Sequence, residues 1–112
     1  MASQLPFRTG VMSPGETVVA LIAEIRSASG ADAAVGQLLT DFTEHVRSEP
    51  GNMAFRAWRS AEDPNMFLVY EEYADDVAFH DHLASLHNKI FNDSIAPHVI
   101  GGGSTLTRLT RI

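Results

Sequence analysis

The segment from Thr17 to Arg26 places the strongest constraint on the fold of this chain. Its sequence, Thr-Val-Val-Ala-Leu-Ile-Ala-Glu-Ile-Arg, is rich in β-branched residues and almost continuously apolar. A strand that faces solvent on one side carries a polar residue at every second position, whereas a strand covered on both faces does not. The segment therefore predicts a β-strand that has an apolar layer on each side of its sheet.

The rest of the chain continues the pattern in the order β-α-β-β-α-β. The predicted elements are a strand over 17–26, a helix over about 31–47, strands over 53–60 and 66–73, a helix from about 76 to 91, and a strand over 104–112. This order is typical of an α+β ferredoxin-like plait, an antiparallel four-stranded sheet with both helices on one face. We expect one domain over 17–112, preceded by an N-terminal extension over 1–16.

Two helices can cover only one face of such a sheet, yet the first and third strands are apolar on both faces. In the third strand, Phe67 and Val69 alternate with Leu68 and Tyr70. A second face without a cover would expose a large apolar patch. The sequence therefore predicts a homodimer in which two sheets pack face to face.

Charge and cysteine content argue against several classes of function. The net charge is −6 and the 8 Lys and Arg residues are scattered, so the chain has no basic stripe for nucleic acid. It has no cysteine, which excludes disulfides and thiol nucleophiles. Its apolar runs are too short to span a bilayer, and its first residues lack the apolar core of a signal peptide. We expect a cytoplasmic protein with no nucleic-acid or membrane partner.

Three of the 5 histidines, His80, His82 and His87, lie in the second predicted helix. On one continuous helix the buried stripe would consist of four apolar residues: Phe79, Leu83, Leu86 and Ile90. The histidines would then flank this stripe. No two of them are four residues apart, the spacing at which helical histidines share an ion, so the sequence predicts no metal site. They remain either half-buried structural residues or acid–base groups that titrate near neutral pH.

From about residue 18 to 109 the chain resembles the antibiotic biosynthesis monooxygenase family of dimeric α+β barrels. The resemblance rests on Glu49-Pro50-Gly51 after the first helix, on the strand Phe67–Tyr73, and on the spacing of His82 and His87. It implies chemistry without a cofactor. In that chemistry an electron-rich phenol or quinol is deprotonated, and its anion then passes an electron directly to O2.

Members of this family differ in their reactions, and they include haem-degrading enzymes, an isomerase of a signalling sugar and many uncharacterised proteins. In the haem-degrading members an asparagine stands in the first strand where this chain has Glu24 and Ile25, and their haem-binding histidine lies near Asn92. We therefore expect no haem. The leading function is a cofactor-independent monooxygenase that oxidises a small phenolic or quinol-like substrate with O2. The alternative is a non-catalytic ligand-binding or stress-associated dimer of the same fold.

The resemblance and the strand pattern together predict a site between the sheet and the second helix. His87 is the first candidate for the general base and His82 the second. Glu71 would orient an imidazole or polarise a substrate hydroxyl, although an ion pair with Arg56 or Arg59 is an equal possibility. The residues predicted to contact the substrate are aromatic: Tyr73, Trp58, Phe67 and Phe91.

Some of these residues could have a structural role instead of a functional one. Tyr73 could be a core residue, and Trp58 could belong to a dimer interface. Glu49-Pro50-Gly51 is interpreted as the stop signal of the first helix, because Pro50 cannot continue the hydrogen bonding and Gly51 tolerates a positive φ.

Overall fold

The computed structural model describes residues 17–112, so the predicted extension over 1–16 lies outside the described residues. The elements, in chain order, are β1 Val19–Arg26, α1 Asp32–Arg47, β2 Asn52–Arg59, β3 Met66–Tyr73, α2 Asp76–Ala84, α3 Leu86–Ile95 and β4 Thr105–Leu109. Two short 3-10 helices, Ala96–His98 and Ile100–Gly102, connect α3 to β4. Within 17–112, no helix is both long and apolar enough to cross a membrane.

The four strands form one antiparallel sheet in the order β2-β3-β1-β4. β1 lies between β3 and β4, and Leu21 of β1 pairs with Glu71 of β3. The helices pack on one face of the sheet, which we call the inner face. The prediction of an α+β ferredoxin-like fold is therefore confirmed.

The core lies between α1, α3 and the inner face of the sheet. β1 buries every second residue, and α1 buries residues at helical spacing, as the sequence pattern predicted. Apolar residues from both elements join one cluster, which includes Ala23, Ile25, Val35, Leu39, Phe42 and Val46. Burial of these side chains is the main favourable contribution to folding.

The second predicted helix is in fact two helices, and this corrects the prediction of one helix to about residue 91. Ser85 separates α2 from α3 with an extended backbone, φ −69° and ψ 150°. Its hydroxyl accepts a hydrogen bond from the Asn88 amide at 3.2 Å and donates one to the His82 carbonyl at 2.7 Å. Ser85 therefore acts as the N-cap of a new helix, because serine readily satisfies the free amides of a first turn.

The break changes which side of each helix faces the core. The predicted stripe is wrong: Leu83, Leu86 and Ile90 are 43%, 72% and 55% exposed. Instead, His82 of α2 and Phe91 and Ile95 of α3 are buried. Because the extended residue between the two helices changes the direction in which their side chains point, a single helical period cannot predict the buried side of both helices.

The opposite face of the sheet, the outer face, carries half-buried apolar residues on its two central strands. Ile22 on β1 pairs with Tyr70 on β3, and Leu68 of β3 pairs with Trp58 of β2. Trp58 is 65% exposed at this face. The predicted apolar character of both faces is therefore present in the structure.

Candidate functional site

A buried carboxylate joins the two histidines that lie on either side of the helix break. Oε2 of Glu49 lies 2.9 Å from Nδ1 of His82 and 2.5 Å from Nε2 of His87. The imidazole N–H groups donate to the carboxylate oxygen, and such charge-assisted hydrogen bonds are short and strong. Glu49 therefore holds both rings in place, and we call these three residues the Glu–His–His cluster.

The local sequence around Gly51 explains how Glu49 reaches α2. A β-carbon added at Gly51 would lie 2.3 Å from the Cβ of Ala78 on α2. Gly51 is therefore required for close helix approach, rather than for a positive φ as the sequence predicted. Its carbonyl also accepts the Ala74 amide at 2.8 Å. This close packing places Glu49, just after α1, against the side of α2 that carries His82.

The other edge of the His82 ring faces a second carboxyl group. Nε2 of His82 lies 3.9 Å from Oε1 of Glu71, which accepts a hydrogen bond from the Tyr73 hydroxyl at 2.7 Å. Burial raises the pKa of Glu71 from 4.5 to about 7; the Tyr73 hydrogen bond opposes this rise, and the charge of Glu49 adds to it. Burial and the Glu71 carboxyl also raise the pKa of Tyr73. Glu71 can thus exchange a proton near neutral pH.

Glu71 and His82 line a cavity of about 70 Å³ between the inner face and the helices α2 and α3. Among residues 17–112 they are the only titratable residues in its wall, which is otherwise mostly apolar. Leu83 and Leu106, which are 43% and 48% exposed, lie at the rim of the cavity. An apolar cavity with few polar groups is the usual form of a small-molecule site.

Of the other predicted site residues, Phe91 lines the cavity and His87 does not. His87 is not part of the cavity wall; it lines a separate groove between α1 and α3, where its ring stacks on His45 at 5.8 Å. Phe91 lines both the cavity and this groove. Its ring stacks on Phe42 at 4.1 Å, so this aromatic pair separates the two spaces.

Three of the four predicted aromatic contacts do not line the cavity. Tyr73 is fully buried in a second apolar cluster and reaches the site only through its hydrogen bond to Glu71. Phe67 is a core residue beneath Arg59, whose guanidinium lies 5.0 Å from the ring centroid. Trp58 lies on the outer face, and neither residue lines the cavity. The predicted ion pair of Glu71 with Arg59 or Arg56 is wrong: Arg59 lies 3.6 Å from Asp32, and Arg56 pairs with Tyr70 in the outer-face register.

Glu49 is the site residue that sequence analysis missed. It was assigned, with Pro50 and Gly51, to the end of the first helix. The one available signal was the Glu49-Pro50-Gly51 motif, in which the glutamate directly precedes the residues that end the first helix. Its contacts with His82 and His87 span 33 and 38 residues of sequence, which no local pattern can reveal.

Several solved structures share this fold. PA3566 from Pseudomonas aeruginosa has a TM-score of 0.79 at 24% identity, covering 86% of this chain and 95% of that chain. Rv0793 from Mycobacterium tuberculosis has a TM-score of 0.79 at 22% identity, with 86% and 96% covered. A protein from Nitrosomonas europaea has a TM-score of 0.80 at 22% identity, with 87% and 92% covered. No curated protein matches the chain significantly.

The family profile of the antibiotic biosynthesis monooxygenases matches residues 18–93. This match covers more than half of the chain and includes the Glu–His–His cluster as well as Glu71 and Tyr73. With the sheet order and the helices on its inner face already described, the chain belongs to the antibiotic biosynthesis monooxygenase family.

Proposed function

We propose that this protein is a monooxygenase that oxidises a small phenolic or quinol-like substrate with O2. The observation that carries the proposal is the mostly apolar cavity into which Glu71 and His82 bring two titratable groups. Such a cavity can bind an aromatic ring and exchange protons with its hydroxyl group while water is excluded. Membership of the family supports the same chemistry.

His82 is the general base in this proposal. Its Nδ1 donates to Glu49 at 2.9 Å, so the free electron pair of the neutral ring lies on Nε2, which points toward Glu71. A carboxylate that fixes the tautomer of a histidine is a recurring feature of catalytic bases. His87 was the first candidate from sequence, and the proposal of His82 instead is supported by its place in the cavity wall.

The proposed reaction needs no electrons beyond those of the substrate. His82 accepts the hydroxyl proton, and the resulting anion passes electrons to O2. One oxygen atom forms a bond to a ring carbon, and the other leaves as water with two hydrogens from the substrate, so that a phenol becomes a quinone. Glu71, with its pKa raised to about 7, can deliver a proton to the departing oxygen, and Tyr73 positions its carboxyl group.

The size of the cavity limits the substrate. Its volume of about 70 Å³ is roughly half of the ~150 Å³ cavity in which a protein core can hold benzene. A ring can therefore enter only partway unless Leu83 and Leu106 move at the rim. We propose one-ring phenols and quinols as substrates, in preference to large polycyclic compounds.

Oxygen uptake by metal-free, flavin-free protein with a panel of one-ring quinols tests this proposal. We expect His82→Ala to lower turnover by about 10²-fold or more, the usual effect of losing a general base. His80→Ala is the matched control, because His80 is exposed and its ring forms a hydrogen bond to the Asp76 carbonyl at 2.8 Å, away from the cavity. Ligand binding without oxygen uptake would instead support the alternative of a binding protein.

We also propose that the protein acts as a homodimer that covers the outer face. The supporting observation is the set of half-buried apolar residues at that face, with Trp58 65% exposed beside them. Light scattering should give about twice the 12.2 kDa of one chain, and Trp58→Glu should shift the mass toward one chain. A monomeric wild-type protein would contradict this arrangement.

A further inference from the structure

Glu49, His82 and His87 each offer a ligand atom, and these atoms lie within 4.8 Å of one another. We propose that the Glu–His–His cluster binds a divalent transition-metal ion, for which Zn²⁺ is the natural probe. Two imidazoles and one carboxylate form a common ligand set for such ions, which leaves further positions for water or substrate. The spacing argument against a metal assumed one continuous helix, and the break at Ser85 removes that assumption.

The state of Glu49 is independent support for a cation. Its Oε1 atom is buried, and among the side chains of residues 17–112 it is the one buried polar atom without a hydrogen-bond partner. A buried polar atom without a partner costs free energy. A cation between Glu49 and the two rings would remove this cost if both carboxylate oxygens, Oε1 as well as Oε2, contact it.

The geometry requires only small movements. Oε2 lies 2.9 Å and 2.5 Å from the two ring nitrogens, which are hydrogen-bond distances. Around a tetrahedral Zn²⁺ with bonds of about 2.0–2.2 Å, neighbouring ligand atoms lie roughly 3.4 Å apart. Each ring nitrogen must therefore move away from Oε2 by less than about 1 Å. The two ring nitrogens, which lie within 4.8 Å of each other, must come closer by up to about 1.4 Å. The ion then replaces the protons that the rings now donate.

Glu71 lies on the other side of the His82 ring, just beyond hydrogen-bond distance. Its Oε1 lies 3.9 Å from Nε2 of His82, the nitrogen that stays free when Nδ1 binds the metal. Histidines that bind metals usually donate their second N–H to a carboxylate, which fixes the ring and strengthens the ligand. The Tyr73 hydroxyl in turn holds Glu71, at 2.7 Å.

Metal binding would also change the proposed reaction. With the ion on Nδ1, the remaining proton of His82 lies on Nε2, so the ring can no longer accept a proton from substrate. We therefore expect metal-loaded protein to lose oxygen uptake that metal-free protein shows. This consequence depends on the proposed function, whereas the binding of the ion does not.

The test begins with chelator-treated protein titrated with Zn²⁺ in a calorimeter. We expect one ion per chain and an upward shift in the unfolding temperature, since an ion that binds only the folded state stabilises it. Glu49→Gln and His87→Ala should each weaken binding by about 10²-fold or more, while His80→Ala should bind as the wild type does. Two variants are used because either one could fold poorly, and circular dichroism identifies a variant that does.

The outcomes separate the two proposals. No Zn²⁺ binding by the wild type, or equal binding by wild type and both folded cluster variants, would overturn the metal site and leave the proposed oxidation untouched. Stoichiometric binding without oxygen uptake in either state would support the metal site and contradict the proposed oxidation. Binding together with uptake that Zn²⁺ suppresses supports both.

Discussion

The first helix, α1, and the helix pair α2–α3 pack on the same face of the sheet but differ in what they bury. α1 buries apolar residues at helical spacing, among them Val35, Leu39, Phe42 and Val46. The α2–α3 region exposes its apolar residues at the predicted stripe and buries His82, whose ring is 4.9 Å from that of Tyr73. α1 and α3 therefore both contribute to the core, whereas α2 and the first turn of α3 also bring His82 and His87 to Glu49.

This difference shows how a polar site can be built into a domain of this size. Burial of an imidazole or a carboxylate is unfavourable unless each finds a partner. Here Glu49 comes from the end of α1 and Glu71 from β3, and both face His82. The apolar residues beneath α1 contribute to stability, and the histidines of α2 and α3 belong to the candidate site.

The largest effect should come from removing an aromatic residue of α1. The Phe42 ring lies 5.6 Å from that of Phe55 and 4.1 Å from that of Phe91, so Phe42→Ala should lower the free energy of unfolding by about 3–5 kcal/mol. Leu86→Ala is the control: Leu86 belongs to the predicted stripe but is 72% exposed, and its loss should change stability by no more than about 0.5 kcal/mol. Urea denaturation measures both. Equal losses of unfolding free energy in the two variants would contradict the difference between α1 and the α2–α3 region.

A smaller effect concerns the free energy that is lost when the buried Glu71 carboxyl group ionises. Glu71 keeps its proton up to about pH 7 in the folded protein, against 4.5 in the unfolded chain, so stability should fall as pH rises between these values. Glu71→Gln should remove this fall and raise the free energy of unfolding above pH 7 by up to about 3 kcal/mol. Thermal unfolding from about pH 4 to pH 8 would measure it.

The exposed Glu44 on α1, which packs on the inner face, provides the control for this measurement, and Glu44→Gln should leave the pH dependence unchanged. If Glu71→Gln shows the same fall with pH as the wild type, another group is responsible. The site on β3 would then not carry the expected energetic cost.

The smallest of these effects concerns the helix break itself. Ser85→Ala removes the hydroxyl that caps α3 and contacts the His82 carbonyl, and should cost about 1 kcal/mol. Ser94→Ala, on the same helix but far from its first turn, is the matched control. Chemical denaturation of both variants gives the comparison. A Ser85→Ala protein as stable as the wild type would mean that packing alone maintains the break.

The sequence by itself determined the order of the elements, the sheet faces and the buried side of α1. These features depend on contacts that repeat every two residues in a strand and every three or four in a helix, so they are visible in a short window. The family resemblance, which the match over 18–93 confirms, came from motifs of the same local kind.

Only the tertiary structure decided the site. The helix break at Ser85 determines which sides of α2 and α3 are buried. A serine within an apolar pattern does not by itself predict such a break. The contacts of Glu49 with His82 and His87 cross 33 and 38 residues, and they exist because Gly51 lets α2 pack closely against the chain that follows α1. The pKa of Glu71 is likewise a property of burial, which depends on every element packed around the cavity.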